Sequence, residues 1–170
     1  WSKIKHKKAS SDAQKSKIFG KLARLITVES KKNNGDINSS SLHTAIEKAK
    51  SVNMPSDNID RAVKKGISSD TLSMESVLYE AYGPGGSALI INGLTDNKNR
   101  TSQEIRHTLS KNGASLAVPG AVSWAFEKND SGWSPNTYVK ISEEDFSKLS
   151  LIISLLEEND DIQEIHHNVE

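Results

Sequence analysis

The residues that could carry chemistry in this chain are of two kinds: a crowd of basic side chains near the start, and scattered polar motifs further on. Lys3, Lys5, Lys7 and Lys8 stand with His6 and the indole of Trp1 in a run without periodicity, WSKIKHKKASS. Ammonium groups at that density suit an arm that neutralises phosphates and releases their counterions, a mode of binding that reads no base. Lys15, Lys17, Lys21 and Arg24 follow, and the last three, spaced four and three apart, form a stripe on one side of a helix. Arg61, Lys64 and Lys65 make a third basic group. The bland alternative is a solvated tail and solvated helix faces.

The polar motifs read mostly as structure. Gly83-Pro84-Gly85-Gly86 could cradle a phosphate, but no Lys-Ser/Thr follows and no helix opens behind it, so a hairpin turn is the better reading. Asp96, Asn97 and Asn99 lack the spacing and closing Glu of a calcium loop and read as a loop and helix cap. His166 and His167 are adjacent on an expected strand, face opposite sides, and so cannot chelate one ion together. Glu157, Glu158, Asp160 and Asp161 read as a solvated helix end. Ser, His and Asp are all present, yet no nucleophile elbow is, and nothing argues for catalysis. Among the aromatics, Trp1, Trp124 and Trp133 could stack bases. Trp124 sits in an apolar strand-like run and reads as core, leaving Trp1 as the one in a basic context.

Charge is sorted along the chain. The formal net charge is zero, but residues 1–66 carry 15 Lys/Arg against 6 Asp/Glu and residues 67–170 carry 7 against 16. A basic block joined to an acidic one suggests a polyanion-binding face on a self-solubilising partner domain. There is no cysteine, which excludes disulfides and thiolate metal sites. No apolar run is long enough for a membrane span. The first residue is Trp1 rather than Met, which reads as trimming at the N-terminus.

Three helices must hold the basic groups. The first runs from Asp12 through Lys31, with Ile18, Phe19, Leu22, Leu25 and Ile26 as its apolar face. Residues 33–36 turn, a serine run offers caps, and Leu42, Ala45, Ile46, Ala49 and Val52 mark the second. Pro55-Ser56-Asp57 opens the third, with Gly66 as its expected C-cap. Residues 67–76 are polar and form the expected boundary. Beyond it, strands are expected over 77–82, 88–94, 121–126, 138–141 and 162–166, with helices ending at Asn112-Gly113 and over 143–158. The expected fold is therefore multidomain: a basic helical bundle at 1–70, then an α+β sandwich at 75–170 in the order β-β-α-β-β-α-β, with helices on one sheet face.

Several ordered blocks carry a family resemblance: WSKIKHKKASSDAQKSKIFGKLAR, NMPSDNIDRAVKKG, YEAYGPGGSALIINGLTDNKNRTSQEIRHTLSKNGASL and AVSWAF, with SEEDFSKLSLIISLLEENDDIQEIHHN at the end. Together they resemble the signature blocks of the YebC/PmpR family, which includes mitochondrial translational activators. The resemblance implies a helical N-terminal domain, α/β domains behind it and no known catalysis. Members are described as DNA-binding transcriptional regulators, or as ribosome-associated factors that help synthesis through proline-rich stretches. It carries a nucleic-acid-binding role onto Lys3, Lys5, His6, Lys7, Lys8, Lys17, Lys21, Arg24, Arg61, Lys64 and Lys65, with Trp1 and Lys15 added from their basic setting. One departure stands out. The family has a further α/β domain after the VSW-F strand, whereas residues 127–135 leave no room for it, so either the protein lacks that domain or the present chain omits it. Adjacent antiparallel pairing of 121–126 with 138–141, through a loop at Asp130-Ser131-Gly132, would close the gap.

The expected function is a non-enzymatic nucleic-acid-binding regulator, first as a translation factor on ribosomal RNA, second as a DNA-binding transcriptional regulator, third as a protein-interaction adaptor. No cofactor and no metal are expected. The expected partners are nucleic acid and the ribosome, with no membrane, and the expected state is a monomer. The expected compartment is the bacterial cytoplasm, with the mitochondrial matrix as the alternative.

Overall fold

The computed structural model describes residues 12–68, 73–130 and 132–170. Two compact units divide between Met74 and Glu75. The basic arm expected at residues 1–11, including Trp1, Lys3, Lys5, His6, Lys7 and Lys8, lies outside the described residues.

The first unit is three helices: α1 (Asp12–Lys32), α2 (Ser40–Ser51) and α3 (Ser56–Ile67). Their apolar faces meet in a core of Ile26, Leu42, Ala45, Ile46, Ala49, Met54, Ile59 and Ala62, with Phe19, Leu22, Leu25 and Val63 packed against it. Asparagine ends the first two helices. Asn34 (φ 51°) and Asn53 (φ 62°) take the left-handed conformation, and the next residue's N–H returns to the helix: Gly35 to the Ser30 carbonyl at 2.9 Å, Met54 to that of Ala49 at 3.0 Å. These are Schellman closures, which asparagine tolerates better than other non-glycine residues. Gly66 is not the C-cap expected of it. It lies inside α3 at a close crossing with α1, described below, and Ser68 is the cap.

The second unit holds β1 (Glu75–Tyr82), β2 (Ala88–Thr95), α4 (Lys98–Lys111), β3 (Ser115–Ala117), β4 (Phe126–Asn129), β5 (Gly132–Pro135), α5 (Glu143–Glu157) and β6 (Ile162–His167). A four-stranded antiparallel sheet has the order β3-β1-β2-β6, and β4 and β5 form a separate hairpin. The central strand β2 is buried on both faces. Ala88 and Ile90 pack against Val122, Ala125, Phe126 and Trp133 from the turn and hairpin. Leu89, on the opposite face by strand alternation, lies on the side of Leu149 of α5; a Cβ added at Gly83 would sit 3.6 Å from both. The class is the expected one, a helical unit followed by an α+β unit.

The strand list differs from expectation in three places. Residues 121–126 are not a strand: Ser123–Ala125 form a 3-10 turn, and the strand starts only at Phe126. The cause is Glu80, whose buried carboxylate accepts the N–H groups of Val122 (2.9 Å) and Ser123 (2.7 Å), and that of Gly120 as well. Donors used this way cannot serve a ladder. Residues 138–141 do not pair with 121–126. Val139 instead makes one parallel bridge to Val169, and β4 takes the nearer partner β5, inside what reads as loop. Last, β3 is a three-residue strand too short to show alternation. The observed order is β-β-α-β-β-β-α-β.

Candidate nucleic-acid interface

Lys17, Lys21 and Arg24 stand on one flank of α1, a turn apart and half-buried. Lys15 is exposed and does not join them: two residues from Lys17, it is rotated about 200° round the helix. On α3, Arg61 and Lys65 are one turn apart and share a side, with Lys64 turned further round.

The two helices, α1 and α3, cross closely at Gly66. A Cβ at Gly66 would stand 2.5 Å from the Thr27 carbonyl oxygen and 2.6 Å from the Ser30 Cβ, so only glycine allows the approach. Two hydroxyls serve the same contact. Ser30, fully buried, donates to the Val63 carbonyl at 2.6 Å, and the Thr27 hydroxyl lies 3.3 Å from the Ala62 carbonyl. Beside the crossing is a groove of about 330 Å³, lined by Phe19, Gly20 and Ala23 of α1, by Met54, and by Asn58, Arg61, Ala62 and Lys65 of α3. The Arg61 guanidinium donates to the Asn58 amide oxygen at 3.0 Å, which steadies it at the groove edge. Lys32 and Lys50 face acids on their own helices, Glu29 at 3.6 Å and Glu47 at 3.3 Å.

Sequence reasoning missed Gly66, Ser30 and Asn58 as parts of this site. A serine at an inward-facing position of α1 was the one available signal for the crossing, since an uncharged polar residue there needs a backbone partner.

Among the described residues of the second unit, a groove of about 420 Å³ at the start of α5 is edged by Glu143 and Glu170 and lined by no lysine or arginine. The Gly-Pro segment is the hairpin turn between β1 and β2: Gly83 donates to the Ser87 carbonyl at 2.8 Å, and a Cβ at Gly85 (φ +70°) would lie 2.6 Å from Ile141. Asn97 caps α4 by accepting from the Arg100 N–H at 3.1 Å, and Asp96 accepts from the Arg100 side chain at 2.9 Å. Asp161 is a correction. It is not solvated but buried, accepting from Thr101 at 2.8 Å and from Arg100 at 2.9 Å, and it ties the start of α4 to the start of β6. Trp124 is another. It is 64 % exposed rather than core, and the half-buried Trp133 fills that role, with Lys128 Nζ 5.9 Å from its ring centre. The Trp124 indole N–H donates to the Ala121 carbonyl of its own turn, at 2.9 Å.

His166 and His167 do face opposite sides. His167 is buried, its Nδ1 accepting the Val169 N–H at 3.2 Å. Burial, with His166 beside it, pushes its pKa down to about 4. Burial works against the Glu80 charge, but the hydrogen bonds from Gly120, Val122 and Ser123 outweigh it and hold the carboxyl below its ordinary value. Among the described residues there is no group of three or more His, Asp or Glu placed to hold a metal ion, and no helix long and apolar enough to cross a membrane.

With the geometry in place, known proteins can be compared. The family described as TACO1/YebC protein N-terminal domain matches residues 1–69, and the one described as TACO1/YebC second and third domain matches 74–131 and 128–169. A probable transcriptional regulatory protein of Pseudothermotoga lettingae is 52% identical over 130 residues, which is 75% of this chain and 51% of that protein. The chain thus spans about half of that relative's length. Another, of Thermoanaerobacter pseudethanolicus, is 36% identical across 233 aligned positions covering all of this chain and 95% of the relative. Since this chain has only 170 residues, that relative carries a stretch with no counterpart here. The crystal structure of a conserved hypothetical protein from Aquifex aeolicus superposes with a TM-score of 0.86 at 33% identity, covering 100% of this chain and 96% of that one.

Proposed function

Because the chain belongs to the TACO1/YebC family, we propose that it is a non-enzymatic, nucleic-acid-binding regulator of gene expression whose target is folded ribosomal RNA. The observation that carries this reading is a pair of basic helices held in close contact at Gly66: Lys17, Lys21 and Arg24 share one side of α1, and Arg61 and Lys65 edge a groove on α3. Cations arranged along two helix flanks contact phosphates by shape. Neither helix enters the proposal as a reader of base edges, and shape-and-phosphate recognition suits folded RNA. The arm at Lys3, Lys5, His6, Lys7 and Lys8 would extend the same contact, with Trp1 available for stacking. A role in synthesis through proline-rich stretches follows from the same family resemblance. We place the relatives' additional stretch at the β4–β5 turn, where the two pieces of the second-and-third-domain match meet.

The relatives' names favour a second reading, DNA-binding transcriptional regulation. One competition separates the two: labelled protein, purified ribosomes and excess random duplex DNA in a single tube. The expected outcome is tighter binding to ribosomes, with duplex DNA held at roughly 10⁻⁴–10⁻⁶ M at physiological salt. Replacing Lys17, Lys21 and Arg24 by Gln should shrink the ribosome's advantage and lower the log K against log salt slope by about 0.7–0.9 per lost contact. Nanomolar binding to one promoter, untouched by ribosomes, would overturn the RNA reading in favour of the DNA one.

A further inference from the structure

The groove beside the Gly66 crossing is apolar inside and charged outside. Phe19, Ala23, Met54 and Ala62 make its floor, while Arg61 and Lys65 stand one turn apart at its α3 edge with Asn58 holding the guanidinium. Phosphates alone explain the edge and not the floor, because an apolar surface is stabilised only by an apolar ligand. The α1 wall is low: Gly20 sits in mid-helix, and a Cβ there would meet nothing within 4 Å. Its volume of about 330 Å³ is at the small end of pockets that hold small organic groups and too small to seat a duplex.

We infer that this groove takes a single unpaired nucleotide of a folded RNA, the base laid on Phe19 and its phosphate held between Arg61 and Lys65. The inference rests on the RNA reading above and adds which part of the RNA is engaged. A nucleobase is flat, has an apolar face and comes with an anion one sugar away, which matches a floor and an edge set side by side. In a paired stem the same base is stacked and its face is out of reach. Charge complementarity favours this occupant over an apolar protein side chain, which brings no anion to the edge formed by Arg61 and Lys65.

The test uses the full chain and two RNA hairpins, one carrying a single unpaired adenosine in its stem and the other fully paired. Affinities are read by fluorescence anisotropy, and the paired hairpin is the reference for each protein. The wild-type chain should prefer the bulged hairpin about tenfold, equivalent to about 1.4 kcal/mol, within the range of one base stacked on an aromatic ring. Gly20→Leu should bring that ratio close to one by filling the groove. A Cβ at Gly20 meets nothing and leucine is the better helix former, so this variant should fold, and its helical circular dichroism verifies that. Phe19→Leu, which keeps apolar bulk but removes the ring, should lower the ratio part way.

Equal wild-type affinity for both hairpins would overturn the inference and leave the RNA reading standing. Binding to neither would overturn both. A preference that survives Gly20→Leu would put the nucleotide elsewhere and so overturn the assignment of the groove. Equal affinity combined with loss of ribosome binding in Gly20→Leu would give the groove to a protein side chain instead.

Discussion

In the helical unit charged side chains stand at or near the surface over a core that is apolar apart from Ser30, whereas in the α+β unit two carboxylates, Glu80 and Asp161, are 4% and 5% exposed. The difference follows from what each unit has to organise. Helices satisfy their own backbone, so the first unit needs no buried charge, and its cations remain at the surface where phosphates could reach them. The second unit contains irregular backbone at 118–123 and at the start of β6. Glu80 supplies acceptors to the first of these, whereas Asp161 accepts from the Arg100 and Thr101 side chains and ties the start of β6 to α4.

The sharpest way to break this comparison is to remove a buried acceptor. Glu80→Ala leaves the N–H groups of Gly120, Val122 and Ser123 without partners and should destabilise the second unit by about 3–5 kcal/mol, at roughly 1–3 kcal/mol per orphaned group with part relieved by water. Hydrogen exchange at those three amides should accelerate sharply, while exchange in α1 to α3 stays as it was. Unchanged protection would mean that the carboxylate does not hold the turn.

Acid should separate the units next. His167 has its pKa pushed from the ordinary 6.5 down to about 4 by burial, so the unfolded chain takes up its proton first. The neutral imidazole's full contribution is present above about pH 6.5 and is lost as pH falls towards 4, on the order of 3 kcal/mol in total. Glu80, held low, adds a further loss as pH falls below the ordinary carboxylate range. Urea titrations between pH 7 and 4 should show the second unit weakening over that window, and His167→Gln should flatten the dependence.

The smallest effect tests the tight contact between α1 and α3. Gly66→Ala puts a methyl against the Thr27 carbonyl and the Ser30 Cβ and should cost about 1–3 kcal/mol through overpacking, less whatever alanine contributes to helix propensity. Thermal unfolding followed by helical circular dichroism measures it. A more stable variant would show that α1 and α3 are not held as close as described.

How far the sequence could be read depended on the range of the interaction concerned. All three N-terminal helices, the Asn53-Met54-Pro55 junction, the Gly-Pro hairpin, the Asn97 cap of α4 and the acidic first turn of α5 were legible, because each depends on residues within a turn of one another. The basic stripe Lys17, Lys21 and Arg24 was legible for the same reason, and so was the placement of His166 and His167 on opposite faces of their strand. The helix run assigned to Gly66 as a cap was misread because glycine serves both as a C-cap and as the residue of a close helix crossing, and one sequence does not distinguish the two.

By itself, then, the sequence determined the class of fold, the division into a basic and an acidic block, and the family, since composition, period and ordered motif blocks survive without coordinates. Only the tertiary structure decided that Glu80 takes the backbone of residues 120–123, that Asp161 is buried under Arg100 and Thr101, that Trp124 is outside and Trp133 inside, and that α1 and α3 enclose a groove. The physical reason is separation along the chain. A buried carboxylate's partners lie 40 to 61 residues away, and its local sequence looks the same whether those partners arrive or water does.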